Sequence, residues 1–93
     1  KNSKLWKKVP TQLQLLPIVG DLGDRWRELG IALNLENGEV CNIDGDYRHS
    51  REKALAVLCA WLQQKGRDAT IGRLVVAMVK IGKKSTAQTL IGM

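Results

Sequence analysis

The segment from Ser50 to Lys65 constrains this chain most: it runs without proline or glycine and is closed by Gly66. Within it Ala54, Leu55, Leu58, Cys59 and Leu62 recur at spacings of three and four, flanked by Val57 and Trp61. That period belongs to a helix with a buried stripe, because strand side chains alternate with period two. Ser50 suits a helix N-cap and Gly66 the residue just past a helix C-terminus. A long helix with one apolar stripe is stable only when other elements cover it. The remaining residues are therefore read as its covers.

They show the same period in shorter pieces. Residues 1–10 read as a basic N-terminal arm or linker, in which Leu5 and Trp6 interrupt the lysines before Pro10. From Thr11 a first bundle helix is marked by Leu13, Leu16, Ile18, Val19 and Leu22, with Pro17 inside it. Proline lacks an N–H and restrains its predecessor, so this stretch is either one kinked helix or two short pieces. Asp24 is placed to cap the next helix, whose stripe is Trp26, Leu29 and Leu33, and Asn34 tolerates the left-handed backbone that ends helices. Asn37-Gly38 reads as a turn, then Val40 and Ile43 anchor a short helix that Gly45 stops. Thr70 opens a helix with Ile71, Leu74, Val75, Met78 and Val79 on its core face, ended by Gly82. Ser85 and Gln88 stand at capping-box spacing before Ala87, Leu90 and Ile91. No strand pair or internal repeat competes. The expectation is an all-α bundle over residues 11–93, with Leu22, Trp26, Leu29, Leu33, Ile43, Leu55, Leu58, Trp61, Leu62, Leu74, Met78 and Leu90 in its core.

Composition excludes several alternatives. The chain is 93 residues, 44% hydrophobic and 4% aromatic, enough for one aliphatic core and too apolar for a disordered segment. No apolar run, that from Leu74 to Val79 included, approaches the ~20 residues that span a bilayer, so membrane insertion is not expected. The N-terminus has lysines but no apolar stretch of the signal-peptide kind behind them. Two cysteines, Cys41 and Cys59, do not make a disulfide framework, which favours a reducing, cytoplasmic setting. Position 1 is lysine, as expected of a piece of a longer protein. Cys41 and Cys59 with His49 cannot complete a four-ligand zinc site, and His49 beside Ser50 lacks a third orienting group. Gly20 and Gly23 are each followed by an acid that would repel phosphate. Neither catalysis, nor a cofactor, nor a metal, nor a small-molecule substrate is expected.

Charge is segregated along the chain. Residues 1–20 carry four lysines and no acid, residues 21–46 seven acids against two arginines, and residues 47–93 nine bases against two acids, for a net charge of +6. Glu36, Glu39, Asp44 and Asp46 form an expected acidic surface. Arg48, Arg51, Lys53, Lys65 and Arg67 form an expected basic one, and Lys80, Lys83 and Lys84 a second basic group. Single charges usually only solvate a face, but separation of sign favours contacts between unlike surfaces. Trp26 and Trp61 lie on apolar stripes and are expected to pack. Trp6 either packs back or stays exposed, and Tyr47 serves either a contact surface or a helix–helix staple.

These residues resemble the death domain. Leu22-Gly23, then Trp26 and Leu29, is similar to that family's approach to its second helix, with Asn34-Leu35 standing where glycine-leucine usually ends it. Ile43 to Tyr47 resembles the short third helix and its acidic exit. Leu58 to Leu62 with Trp61, then Lys65-Gly66, resembles the fourth helix, and Ala69-Thr70 followed by Leu74, Met78 and Ile81-Gly82 the fifth. Ala87 and Leu90 fit the sixth. Asn34 and Pro17 depart from the family's usual pattern. The resemblance implies a six-helix antiparallel Greek-key bundle that binds other death-domain proteins, its own copies included, to assemble signalling complexes in apoptosis or innate immunity. Two other readings stand beside it. One is a basic helical domain binding nucleic acid or another anionic surface, supported by the isoelectric point near 9.7 but opposed by the acidic segment and by the lack of a recognition helix. The other is a scaffold domain that docks within its parent protein.

Overall fold

The computed structural model describes residues 3–92, apart from the side chain of Ser3. Among the described residues there are seven α-helices and no strand: α1 (Ser3–Lys7), α2 (Gln12–Leu22), α3 (Trp26–Ala32), α4 (Asn37–Asp46), α5 (Ser50–Lys65), α6 (Ile71–Lys80) and α7 (Lys84–Ile91). Helices α2 to α7 are the six-helix bundle of the death-domain kind that the sequence led us to expect. The long α5 is its centre, touching α2, α3 and α4, while α6 packs on α7 and α3, and α7 returns to α2.

Local chemistry sets each boundary. The Thr11 hydroxyl accepts from the Gln14 N–H at 3.2 Å, and the Gln14 amide oxygen accepts from the Thr11 N–H at 2.9 Å, a reciprocal cap that starts α2. Helix α2 then runs unbroken through Pro17. Proline removes the bond to the carbonyl of Leu13, but Leu13, Leu16 and Pro17 all face solvent, where water can satisfy such a carbonyl. The buried stripe of α2 is Leu15, Ile18, Val19 and Leu22, so Leu13 and Leu16, expected inside, are outside.

A single-residue reversal ends α3. Asn34 adopts φ 65°, which lets the Leu35 N–H reach the Gly30 carbonyl and the Asn34 N–H that of Ile31, both at 3.0 Å. Helix α6 ends the same way at Gly82, φ 82°, with the Lys83 N–H donating to Met78 at 2.8 Å. Thr70 caps α6 by accepting from the Arg73 N–H at 3.3 Å.

Several expected boundaries move. Asn37-Gly38 is not a turn but the first residues of α4, which also continues through Gly45 to Asp46. Asp24 lies in a 3-10 turn, Gly23–Arg25, and accepts from the Ser50 hydroxyl at 3.1 Å instead of capping α3. Ser50 is accordingly occupied there, and His49 is the residue before the first turn of α5. Ser85 lies inside α7, where the Thr89 hydroxyl donates to its carbonyl.

Leu22, Trp26, Leu29, Leu33, Ile43, Leu58, Trp61, Leu74, Met78 and Leu90 are buried, joined by Leu15, Ile18, Val40, Val57 and Ile71. Leu55 and Leu62 are only half-buried against this core, while Val79 and Ile91 are exposed. On α5 the covered stripe is Ala54, Val57, Leu58 and Trp61. It is rotated by roughly a quarter turn from the expected one, because α2 and α3 pack on that side.

The segment read as a basic arm contains α1, which lies on α6. Trp6 packs against Gly72, where an added Cβ would stand 2.6 Å from Trp6 Cε3 and 2.9 Å from its carbonyl oxygen. The Ile71 N–H donates to the Lys8 carbonyl at 2.8 Å.

Candidate protein-interaction surface

The acidic residues gather on α4, but they do different things. Asp44 sits between two cations, 3.0 Å from the Arg27 guanidinium and 2.6 Å from the Lys53 ammonium. Both cations also stand over the Trp26 ring, at 5.0 and 5.2 Å from its centroid. The Lys53 hydrogen bond, followed by the fields of Lys53 and Arg27, holds the Asp44 carboxyl below its ordinary range against the opposing effect of desolvation. Lys53, expected on the basic contact surface, is therefore turned inward, with a side chain only 16% exposed. Its role is to join α5 to α4 and to shield Trp26.

Glu39 accepts from the Gln64 side chain across the α4–α5 seam. Glu36 and Asp46 are exposed and in no ion pair among the described residues. Acids in the last turn of a helix oppose its dipole, at a cost of about 0.3–1 kcal/mol. Asp44 is compensated by its two cations, whereas Asp46, the final residue of α4, is not. Beside it is a groove of about 540 Å³ between α4 and α5. Glu39, Asp46 and Glu52 ring this groove and Ile43, Leu55 and Ala56 floor it, with no basic residue in its lining. The half-burial of Leu55 follows from this opening. Tyr47, 43% exposed, stands on the rim.

The expected basic surface does not form one patch. Arg48 and Arg51 are at the start of α5, with the Arg51 guanidinium alongside Gly20 of α2. Lys65 and Arg67 lie at its other end, about 20 Å away at 1.5 Å per residue. There Lys65 joins Lys80, from the second basic group, on a second groove of about 650 Å³ between α1, α3, α5 and α6. Arg73 completes that rim and was passed over in the sequence. Its signal was available, because Arg73, Val76, Ala77 and Lys80 fall at i, i+3, i+4 and i+7 on one helix face. Lys83 and Lys84 lie outside the groove. On α5 the residues of the acidic groove (Glu52, Ala56, Cys59, Gln63) and of the basic one (Trp61, Lys65) occupy opposite sides of the helix.

Burial pushes the Cys59 thiol up from its ordinary value and keeps it protonated, so its nucleophilicity is low. Among the described residues no cluster of three metal-ligating side chains occurs, and no helix is long and apolar enough to cross a membrane. The six-helix bundle thus carries two grooves of opposite charge.

The sequence profile of the Death domain matches residues 12–93, and the chain belongs to that family. Two curated relatives are similar to it. THO complex subunit 1 of Homo sapiens is 30% identical over 83 residues, covering 89% of this chain and 13% of the relative. THO complex subunit 1 of Mus musculus is 29% identical over 77 residues, covering 83% of this chain and 12% of the relative. The chain thus spans about an eighth of the length of these relatives. Their identity overturns the cytoplasmic location expected from the sequence. That expectation rested on two cysteines that make no disulfide framework and on the lack of a signal-peptide stretch, and a reducing setting is shared by cytosol and nucleus.

Proposed function

We propose that this domain docks its parent protein onto a protein partner within an assembly of the THO type, through the acidic groove between α4 and α5. A nuclear setting belongs to this reading, and a dedicated apoptotic role does not. The observation that carries it is Asp46. It opposes the dipole of its own helix, has no compensating cation among the described residues, and rims an apolar-floored groove beside Glu39 and Glu52. A residue that costs its own helix stability without repayment inside the domain is accounted for by a contact outside it. The identity of the relatives supports the choice of assembly.

The test is co-precipitation of THO complex subunits with the chain, comparing wild type with the variant Asp46→Lys. The variant is expected to keep its helical circular dichroism, since a cation at the end of α4 suits the dipole, and to lose capture by about tenfold or more. Undiminished capture by a folded variant would reject the acidic groove as the docking surface.

A second reading, homotypic association, is favoured by one specific observation. The acidic and basic grooves occupy opposite sides of α5, so one copy can present an acidic face to the basic face of the next without closing a ring.

A further inference from the structure

The groove at the far end of α5 has features that acidic-face docking leaves unused. Its rim carries Lys65, Arg73 and Lys80 against one acid, Asp68, and none of the three cations is in an ion pair among the described residues. Arg73 and Lys80 are two turns apart on one face of α6, about 10 Å along its axis. Between them the floor is apolar: Val76 is 49% exposed and lies beside Ala77, with Ala32 opposite. Two cations separated by an apolar saddle match a ligand with two carboxylates flanking an apolar side chain.

We propose that this groove binds an acidic segment of a partner protein, carboxylates seated on Arg73 and Lys80 and an apolar residue on Val76. The spacing fits carboxylates about three residues apart in an extended segment or seven apart in a helical one. The inference goes beyond the acidic-groove reading and uses none of its residues. A peptide is preferred to a single-stranded nucleic acid because the floor between the two cations, Val76 with Ala77, holds no aromatic ring on which a base could stack. Trp61 is 2% exposed, and Trp6 lays its ring edge on Gly72. The saddle between the cations is aliphatic, which suits a side chain of Leu or Met.

The experiment is fluorescence anisotropy of a labelled peptide in which leucines alternate with pairs of glutamates, titrated with the chain. Saturable binding is expected, weakened about tenfold or more by Arg73→Glu with Lys80→Glu and unchanged by Arg48→Glu with Arg51→Glu. Replacing the peptide's leucines by serine is expected to weaken binding by a similar factor, as is Val76→Ser. Should the charge-reversed pair lose its circular dichroism signal, Arg73→Gln with Lys80→Gln repeats the comparison with neutral residues. Equal loss from both arginine pairs would show unspecific charge attraction and overturn the proposal. So would indifference to the leucines, or tighter binding of a labelled uridine oligonucleotide through Arg73 and Lys80.

Discussion

Asp44 shows how one side chain can be removed from a contact surface by its neighbours. Its carboxylate is shared by Arg27 and Lys53, which also cover the Trp26 ring, so charge, cation–π contact and core boundary meet at one point. Because folding lowers the Asp44 pKa, its contribution to stability is present above the ordinary aspartate range, near pH ~3.9, and is lost as pH falls through the lowered value. Asp44→Asn is therefore expected to lower the melting temperature near neutral pH. The gap from wild type should be smaller at about pH 3, below that range, as the wild-type carboxylate begins to lose its charge. Thermal unfolding followed by circular dichroism at the two pH values checks this, and an equal gap at both would remove Asp44 from the account. The same network explains why charge reversal at Asp44 is a poor probe of docking, whereas Asp46 has no ion pair to confuse the result.

At the scale of elements, α1 is the least conventional part of the bundle. It has only five residues, too few to be helical alone, and it is held by Trp6 on Gly72 and by the hydrogen bond from Ile71 to Lys8. Close approach is the reason for glycine at position 72, since any Cβ would meet both the ring and the backbone of Trp6. Gly72→Ala is expected to cost about 1–3 kcal/mol by forcing α1 away. Trp6→Ala added to it should cost little more, because the contact is already gone. Chemical denaturation of both single variants and the double variant measures that coupling, and strict additivity would mean that α1 does not act through Gly72. The outcome also bears on the basic groove, since Trp6 forms one of its walls.

For the whole molecule, the distribution of charge matters more than its total of +6. Opposed grooves on one helix favour association that is weak, electrostatic and extendable, because exposed pairs contribute only about 0–1 kcal/mol each and are screened by salt. Light scattering behind size exclusion is expected to show mass rising with protein concentration at low salt and returning to monomer at high salt. A monomer under both conditions would leave docking to a different protein and would remove the homotypic reading. Either way the bundle presents its charged grooves on rigid helices, which keeps the ordering cost of a contact low.

The sequence by itself determined the number of bundle helices, the central place of the Ser50–Lys65 segment and the family. Period and helix-bounding residues are local properties: Asn34, Gly66 and Gly82 act through their own backbone and Thr70 through its own hydroxyl. The separation of acidic from basic residues along the chain was equally legible. What the sequence could not decide was which of two adjacent apolar stripes each helix buries. On α5 both the Leu55–Leu62 stripe and the Val57–Trp61 stripe are apolar at helical period, and only the positions of α2, α3 and α4 select between them. On α2 the presence of Leu13, Leu15 and Leu16 leaves the same choice open, settled by α5 and α7. The candidate surfaces needed tertiary structure for the same reason. Whether Lys53 meets a partner or Asp44, and whether Lys65 belongs with Arg51 or with Arg73 and Lys80, depends on which helices are neighbours in space. Spacing along one helix fixes a side chain's angle about that helix axis, but packing alone fixes what stands opposite it.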